Sequence, residues 1–171
     1  MEASFLYYKL KKDCLYLGKN YNKVISNGLI NRIVEKDIKK IYFSVNFDSP
    51  IDNLPNGVEE LIFDSICLNQ NLDNLPSTIK KIYINGDFNQ PIDFLPYGLK
   101  YLKLGNSFDH NLDNLPQSLE YLDVGSSFSR GLDNLPDNLR ILVLGYYYDK
   151  IPQRLPSKLE NLYHPKVVKI L

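Results

Sequence analysis

The dipeptide Leu-Pro recurs along this chain at Leu54-Pro55, Leu75-Pro76, Leu95-Pro96, Leu115-Pro116, Leu135-Pro136 and Leu155-Pro156. Successive leucines stand 21, 20, 20, 20 and 20 residues apart, a period too regular for chance. A fixed period of this length marks a stacked repeat, in which one unit cannot bury its own apolar face and needs its neighbours.

Three residues after each proline an apolar residue opens the pattern L-x-x-L-x-L. Its copies are Ile38/Ile41/Phe43, Val58/Leu61/Phe63, Ile79/Ile82/Ile84, Leu99/Leu102/Leu104, Leu119/Leu122/Val124 and Leu139/Leu142/Leu144. Leu159/Leu162 opens a seventh, which departs at His164. Within x-L-x-L the period is two, so the aliphatic residues point inward and the residues between them outward. Stacked copies then form one parallel sheet that rises about 4.8 Å per repeat.

Past each strand comes an aromatic residue, Phe47, Phe88, Phe108, Phe128 or Tyr148, with Cys67 near the same place in the 21-residue copy. An aliphatic follows at Ile51, Leu72, Ile92, Leu112 or Leu132, and then the leucine of Leu-Pro. Each coil thus contributes about six apolar side chains to a continuous core. The prolines suit the first position of a short helical or 3₁₀ turn. Gly105, Gly125 and Gly145 suit a strand exit at positive φ.

Charge supports this register. The second position of the motif reads Lys39, Glu59, Lys80, Lys100, Glu120, Arg140, Glu160. Five of the six neighbouring pairs are opposite in sign, as cross-strand neighbours in a parallel stack favour.

The expected fold is a β-rich, α/β-type solenoid: a leucine-rich-repeat-like right-handed coil with one parallel sheet and about seven 20-residue repeats. Its segments, Asp87-Phe88-Asn89-Gln90-Pro91-Ile92-Asp93 and Asp113-Asn114-Leu115-Pro116-Gln117-Ser118-Leu119 among them, resemble the FNIP repeat. That relative of the leucine-rich repeat occurs mainly in amoebae and their giant DNA viruses. The resemblance covers residues 38–164. Family members often carry an F-box ahead of the repeats, which implies a ubiquitin-ligase adaptor. Here residues 1–37 do not read as F-box helices, so such a role needs a separate F-box chain.

Residues 1–37 read instead as an N-terminal cap. Leu15-Tyr16-Leu17-Gly18, Tyr21-Asn22 and Ile25 mimic one repeat, with extra residues around Asn27-Gly28. Terminal repeats of a solenoid are atypical because one side faces water. Residues 165–171, with the apolar Val167-Val168-Lys169-Ile170-Leu171, read as a capping strand; Lys166 and Lys169 would protect its edge.

Two ladders face outward between the buried leucines: Lys40, Glu60, Lys81, Tyr101, Tyr121, Ile141, Asn161, and Tyr42, Ile62, Tyr83, Lys103, Asp123, Val143, Tyr163. Tyr83, Tyr101, Tyr121, Ile141 and Val143 would lie together on the concave side, with Lys103 and Asp123 between them. An apolar, Tyr-rich surface of this kind favours a protein or peptide partner. Strands also favour Tyr and Ile for their own sake, and the patch also suits packing against the chain's own N-terminus. A column of aspartates, Asp52, Asp73, Asp93, Asp113 and Asp133, invites comparison with calcium ladders. Asp before Leu-Pro is better read as a turn cap accepting N–H bonds.

Enzyme signatures are missing. His110 and His164 lie in different coils, and no G-x-S-x-G, H-E-x-x-H, P-loop or kinase pattern occurs. No cofactor is expected. Lys plus Arg and Asp plus Glu both total 20, a balance that argues against a nucleic-acid partner. The two cysteines, without metal spacing, read as free thiols of a reducing compartment. With no secretory leader and no membrane-length apolar run, the chain reads as cytoplasmic, with the nucleus as the alternative. The function implied is non-catalytic protein recognition on the concave face. A structural or assembly role, through self-association of the terminal strands, is the alternative from another class.

Overall fold

In the computed structural model, the described residues are 8–18, 21, 25–64, 66, 68–150 and 152–165. The elements are β1 (Tyr8–Lys11), β2 (Cys14–Leu17), α1 (Asn27–Glu35), β3 (Lys40–Phe43), β4 (Glu60–Phe63), β5 (Lys81–Ile84), β6 (Tyr101–Lys103), β7 (Tyr121–Asp123), β8 (Ile141–Val143) and β9 (Asn161–Tyr163). They form one sheet whose spatial order is the chain order, β1 to β9. Among the described residues only the β1–β2 hairpin is antiparallel; every other neighbouring pair is parallel. The seven strands β3–β9 of the repeats bound six complete coils.

Register follows the aliphatic pattern. Ile41, Leu61, Ile82, Leu102, Leu122, Leu142 and Leu162 lie in one row across the sheet. A slip by one residue would turn this row outward, so the pattern and the pairing specify each other. Behind the sheet runs a second row of rings. Phe88, Phe108, Phe128 and Tyr148 stack in sequence, centroids 6.2, 6.2 and 5.9 Å apart and planes within 18°. At the other end Tyr21 stacks on Phe47 at 6.4 Å. Between the two runs the slot belongs to Leu68, which is buried. Its neighbour Asn69 donates its backbone N–H to Asp48 Oδ1, the rung that Asp109 N–H makes to Asn89 two coils further on. The aromatic position expected near Cys67 is therefore one residue later, and Cys67 itself lies outside the described residues. The extra residue of the 21-residue coil moves the buried side chain along by one.

The back of each coil consists of turns, and no 3₁₀ segment occurs among the described residues. Proline opens the second turn with its carbonyl: Pro96, Pro116 and Pro136 accept from the N–H groups of Leu99, Leu119 and Leu139 at 2.9–3.1 Å. Proline lacks an N–H, and here its oxygen closes the turn. The glycine column also has a different cause from the one its sequence suggests. Of Gly105, Gly125 and Gly145, only Gly125 has positive φ, +74°. At all three a Cβ would stand 2.0–2.2 Å from the carbonyl oxygen of the preceding coil. Close backbone approach excludes a side chain at all three, and dihedral freedom adds to it only at Gly125.

In the first coil, Leu15 and Leu17 pair with Ile41 and Phe43 and are fully buried. The extra residues there form α1. Ser26 caps it, its Oγ accepting from Leu29 N–H at 3.3 Å, and Leu29 and Ile33 supply one buried face at i, i+4. Asp37 ends it in the left-handed region, φ 48°. Ile38 N–H then reaches Ile33 O and Asp37 N–H reaches Val34 O, a Schellman closure that leads straight into β3. Of the capping strand expected at 165–171, residues 166–171 lie outside the described residues.

Candidate functional site: the outward face of the sheet

Parallel pairing brings the outward ladders into contact. Tyr101 sits between Lys81 and Tyr121, Tyr121 between Tyr101 and Ile141, and Asp123 between Lys103 and Val143. The rings of Tyr101 and Tyr121 lie 4.0 Å apart with planes 5° from parallel. Tyr83 leans diagonally onto Tyr101, 4.5 Å between centroids and 34° between planes. All seven expected residues, Tyr83, Tyr101, Lys103, Tyr121, Asp123, Ile141 and Val143, are half-buried. Flat rings filling the space between strands shield one another's faces and leave edges and hydroxyls to solvent.

This packing changes the electrostatics. Burial, with the hydrogen bond its hydroxyl donates toward Tyr121, pushes the Tyr101 phenol well above its ordinary value. Burial also raises Tyr83, aided by the nearby Glu60 carboxylate. Both stay protonated donors at neutral pH. Asp123 is raised by desolvation, against the Gly125 N–H that its Oδ1 accepts at 3.0 Å and the field of Lys103.

A polar relay beside the rings had no recurrent motif to mark it. Tyr42 donates its hydroxyl to Asp64 Oδ2. Asn85 Nδ2 donates to Asp64 Oδ1 at 2.6 Å, and Lys103 Nζ donates to Asn85 Oδ1 at 3.0 Å. It crosses four strands, β3 to β6. Its signal was the column Asp64, Asn85 and Gly105, one residue past each motif, where side-chain amide and carboxylate give way to glycine.

The charge ladder forms in part. Lys100 pairs with Glu120 at 2.6 Å, and Arg140 meets Glu160 through Nε and Nη2 at 2.8 and 2.9 Å. Lys39 turns instead to Asp37 at 2.7 Å, while Lys40 takes Glu60 at 2.9 Å. Exposed pairs of this kind bias register more than they stabilise.

The aspartate column is an acceptor ladder. Asp93 Oδ1 accepts from Asn114 Nδ2 at 2.9 Å and Asp113 Oδ1 from Asn134 Nδ2 at 2.7 Å, while Asp133 Oδ1 accepts Gln153 N–H at 3.1 Å. The amides of Asn134 and Asn111 hold Asp113 below the usual carboxylate range. Among the described residues no three His, Cys, Asp or Glu side chains gather as metal ligands. His110 and His164 each direct Nε2 to a backbone carbonyl, Asn89 O at 3.1 Å and Tyr148 O at 2.8 Å. Among the described residues no helix is long and apolar enough to cross a membrane.

Sequential parallel strands, one aliphatic row, one ring row and turn-built backs define a leucine-rich-repeat-like solenoid. Similarity to solved structures agrees with this: CroV588, a circular leucine-rich-repeat protein, superposes with a TM-score of 0.53 over 92% of this chain and 31% of its own, at 23% identity. That likeness concerns the fold alone. The FNIP Repeat family matches residues 69–107 and 92–127. An FNIP repeat-containing protein of Dictyostelium discoideum is 39% identical over 82 residues, 47% of this chain and 22% of the relative. A second from the same organism is 34% identical over 61 residues, 36% of this chain and 11% of the relative. The chain thus spans a quarter or less of the length of these relatives. Residues 69–127 match the FNIP repeat, the resemblance that residues 87–93 and 113–119 implied.

Proposed function

We propose that the chain is a non-catalytic recognition module that binds a protein or peptide on the outward face of its sheet. The observation behind this reading is the stack of Tyr83, Tyr101 and Tyr121 continued by Ile141 and Val143. A solenoid needs its inward residues to fold, whereas its outward strand positions are free to vary. Here they gather three rings and two aliphatic side chains in neighbouring strands. Ring edges, hydroxyl donors and aliphatic surface in one place are what interface cores use. The relay Tyr42–Asp64–Asn85–Lys103 supplies a polar border to the same face.

The test compares wild type with a variant carrying Tyr101→Ala, Tyr121→Ala and Val143→Ala, after thermal unfolding shows that both are folded. Proteins retained by each are identified, and binding is repeated with each protein purified. A purified partner that binds wild type and is lost with the variant supports the reading. Partners that bind both equally well refute it.

A further inference from the structure

A repeat protein carries its own control: a position that is polar in every other coil shows what folding alone asks for there. On the turn side, the first turn of successive coils holds Asn53, Asn74, Phe94, Asn114 and Asn134. The second turn holds Asn56, Ser77, Tyr97, Gln117 and Asp137. One coil thus replaces both polar residues with aromatics, three positions apart. Neither ring is buried: Phe94 is 71% exposed and Tyr97 80%.

The exchange also forfeits a structural bond. Asn114 and Asn134 each donate to the aspartate 21 residues earlier, Asp93 and Asp113. By the same register residue 94 stands over Asp73, and a phenyl ring has no amide to give. Folding therefore gains nothing from Phe94, and water gains an apolar surface. The rings do not stand in neutral surroundings. Asp73 and Asp93 flank Phe94, and Lys80 reaches the second turn, its Nζ 3.1 Å from where a Cβ on Gly98 would be.

We propose that Phe94 and Tyr97 form a second docking site, on the turn side of the solenoid and separate from the tyrosine stack. Its occupant is a partner protein with an apolar socket whose rim carries Lys or Arg beside Asp73. The apolar rings supply the buried centre, and the unclaimed carboxylate selects a basic rim. An anionic membrane surface would meet these two carboxylates with like charge.

The experiment uses the full chain with the photocrosslinker p-benzoylphenylalanine in place of Phe94, in cells that express it. The crosslinked protein is identified, purified and titrated against four chains: wild type, Phe94→Asn with Tyr97→Gln, Asp73→Asn, and the tyrosine-stack variant. The double substitution restores the residues of the neighbouring coils, so its fold is kept. We expect its dissociation constant to rise about tenfold or more, as loss of two anchors does. Asp73→Asn should weaken binding by a smaller factor that disappears at high salt, and the tyrosine-stack variant should bind as wild type does. Equal binding by the double variant overturns the proposal, as does an unchanged or tighter Asp73→Asn. A crosslink only to a second copy of the chain, or to no protein, overturns it too. So does adsorption of wild type, but not the double variant, to phosphatidylcholine vesicles.

Discussion

The carbonyl oxygen of Gly105 lies 2.2 Å from the point where a Cβ on residue 125 would stand. Two coils touch there through backbone alone, and φ at Gly125 is +74°. Gly125→Ala therefore meets both a steric wall and the left-handed penalty. It should cost about 2–4 kcal/mol in urea unfolding. Gly131 gives the contrast. A Cβ there meets only Asp133 Oδ2, at 3.5 Å, and φ is ordinary. Gly131→Ala should be neutral or stabilising by up to about 1 kcal/mol, through the unfolded chain. Equal losses at both positions would contradict the stacking account.

Tyr148 ends the ring row with a hydroxyl that Phe88, Phe108 and Phe128 lack. That oxygen is buried with no hydrogen-bond partner among the described residues, and burial raises its phenol pKa. Tyr148→Phe should stabilise the protein by about 1 kcal/mol, since an unmet buried hydroxyl is removed without loss of ring stacking. A fall in the unfolding midpoint would mean that the hydroxyl is satisfied in solution.

Leu68 shows that the ring row tolerates a leucine. Phe108→Leu should then cost no more than about 2 kcal/mol, whereas Phe108→Ala, which leaves a void between Phe88 and Phe128, should cost about 3–5 kcal/mol. Differential scanning calorimetry of the two variants distinguishes a graded packing loss from a specific need for stacked rings.

Asp123 predicts a pH effect of definite sign. Its folded pKa is raised by desolvation. The folded state therefore holds the proton more tightly, and the contribution to stability is full below the unfolded value. It is lost as pH rises, from near the ordinary aspartate value of about 3.9 to above the raised one. Asp123→Asn removes this loss while keeping an oxygen for the Gly125 N–H. The variant should gain on wild type as pH rises through that window and hold the gain at neutral pH. Parallel curves for the two chains, measured by urea midpoints, would contradict the raised value.

Much of this was legible beforehand because inward and outward positions are set locally, by a period of two. Ile41, Leu61 and Ile82 announce their row, and Lys100 beside Glu120 announces its pairing. The sequence points near Cys67 rather than to Leu68 because the spare residue of that coil can be absorbed at one of several neighbouring positions. The rung from Asn69 N–H to Asp48 Oδ1 fixes which one. The glycine column differs from its expected role for a related reason. A residue's own preferences were taken as its role, where the role comes from a neighbouring carbonyl.

The coil, its period, its register and the membership of the two outward ladders all follow from side-chain chemistry repeated along one chain. Tertiary structure alone decided what those ladders do to one another. The parallel rings of Tyr101 and Tyr121, the relay from Tyr42 to Lys103 and the amide rungs onto Asp93 and Asp113 join residues one coil or more apart. Their distances depend on the rise and turn of the solenoid, which no single repeat encodes.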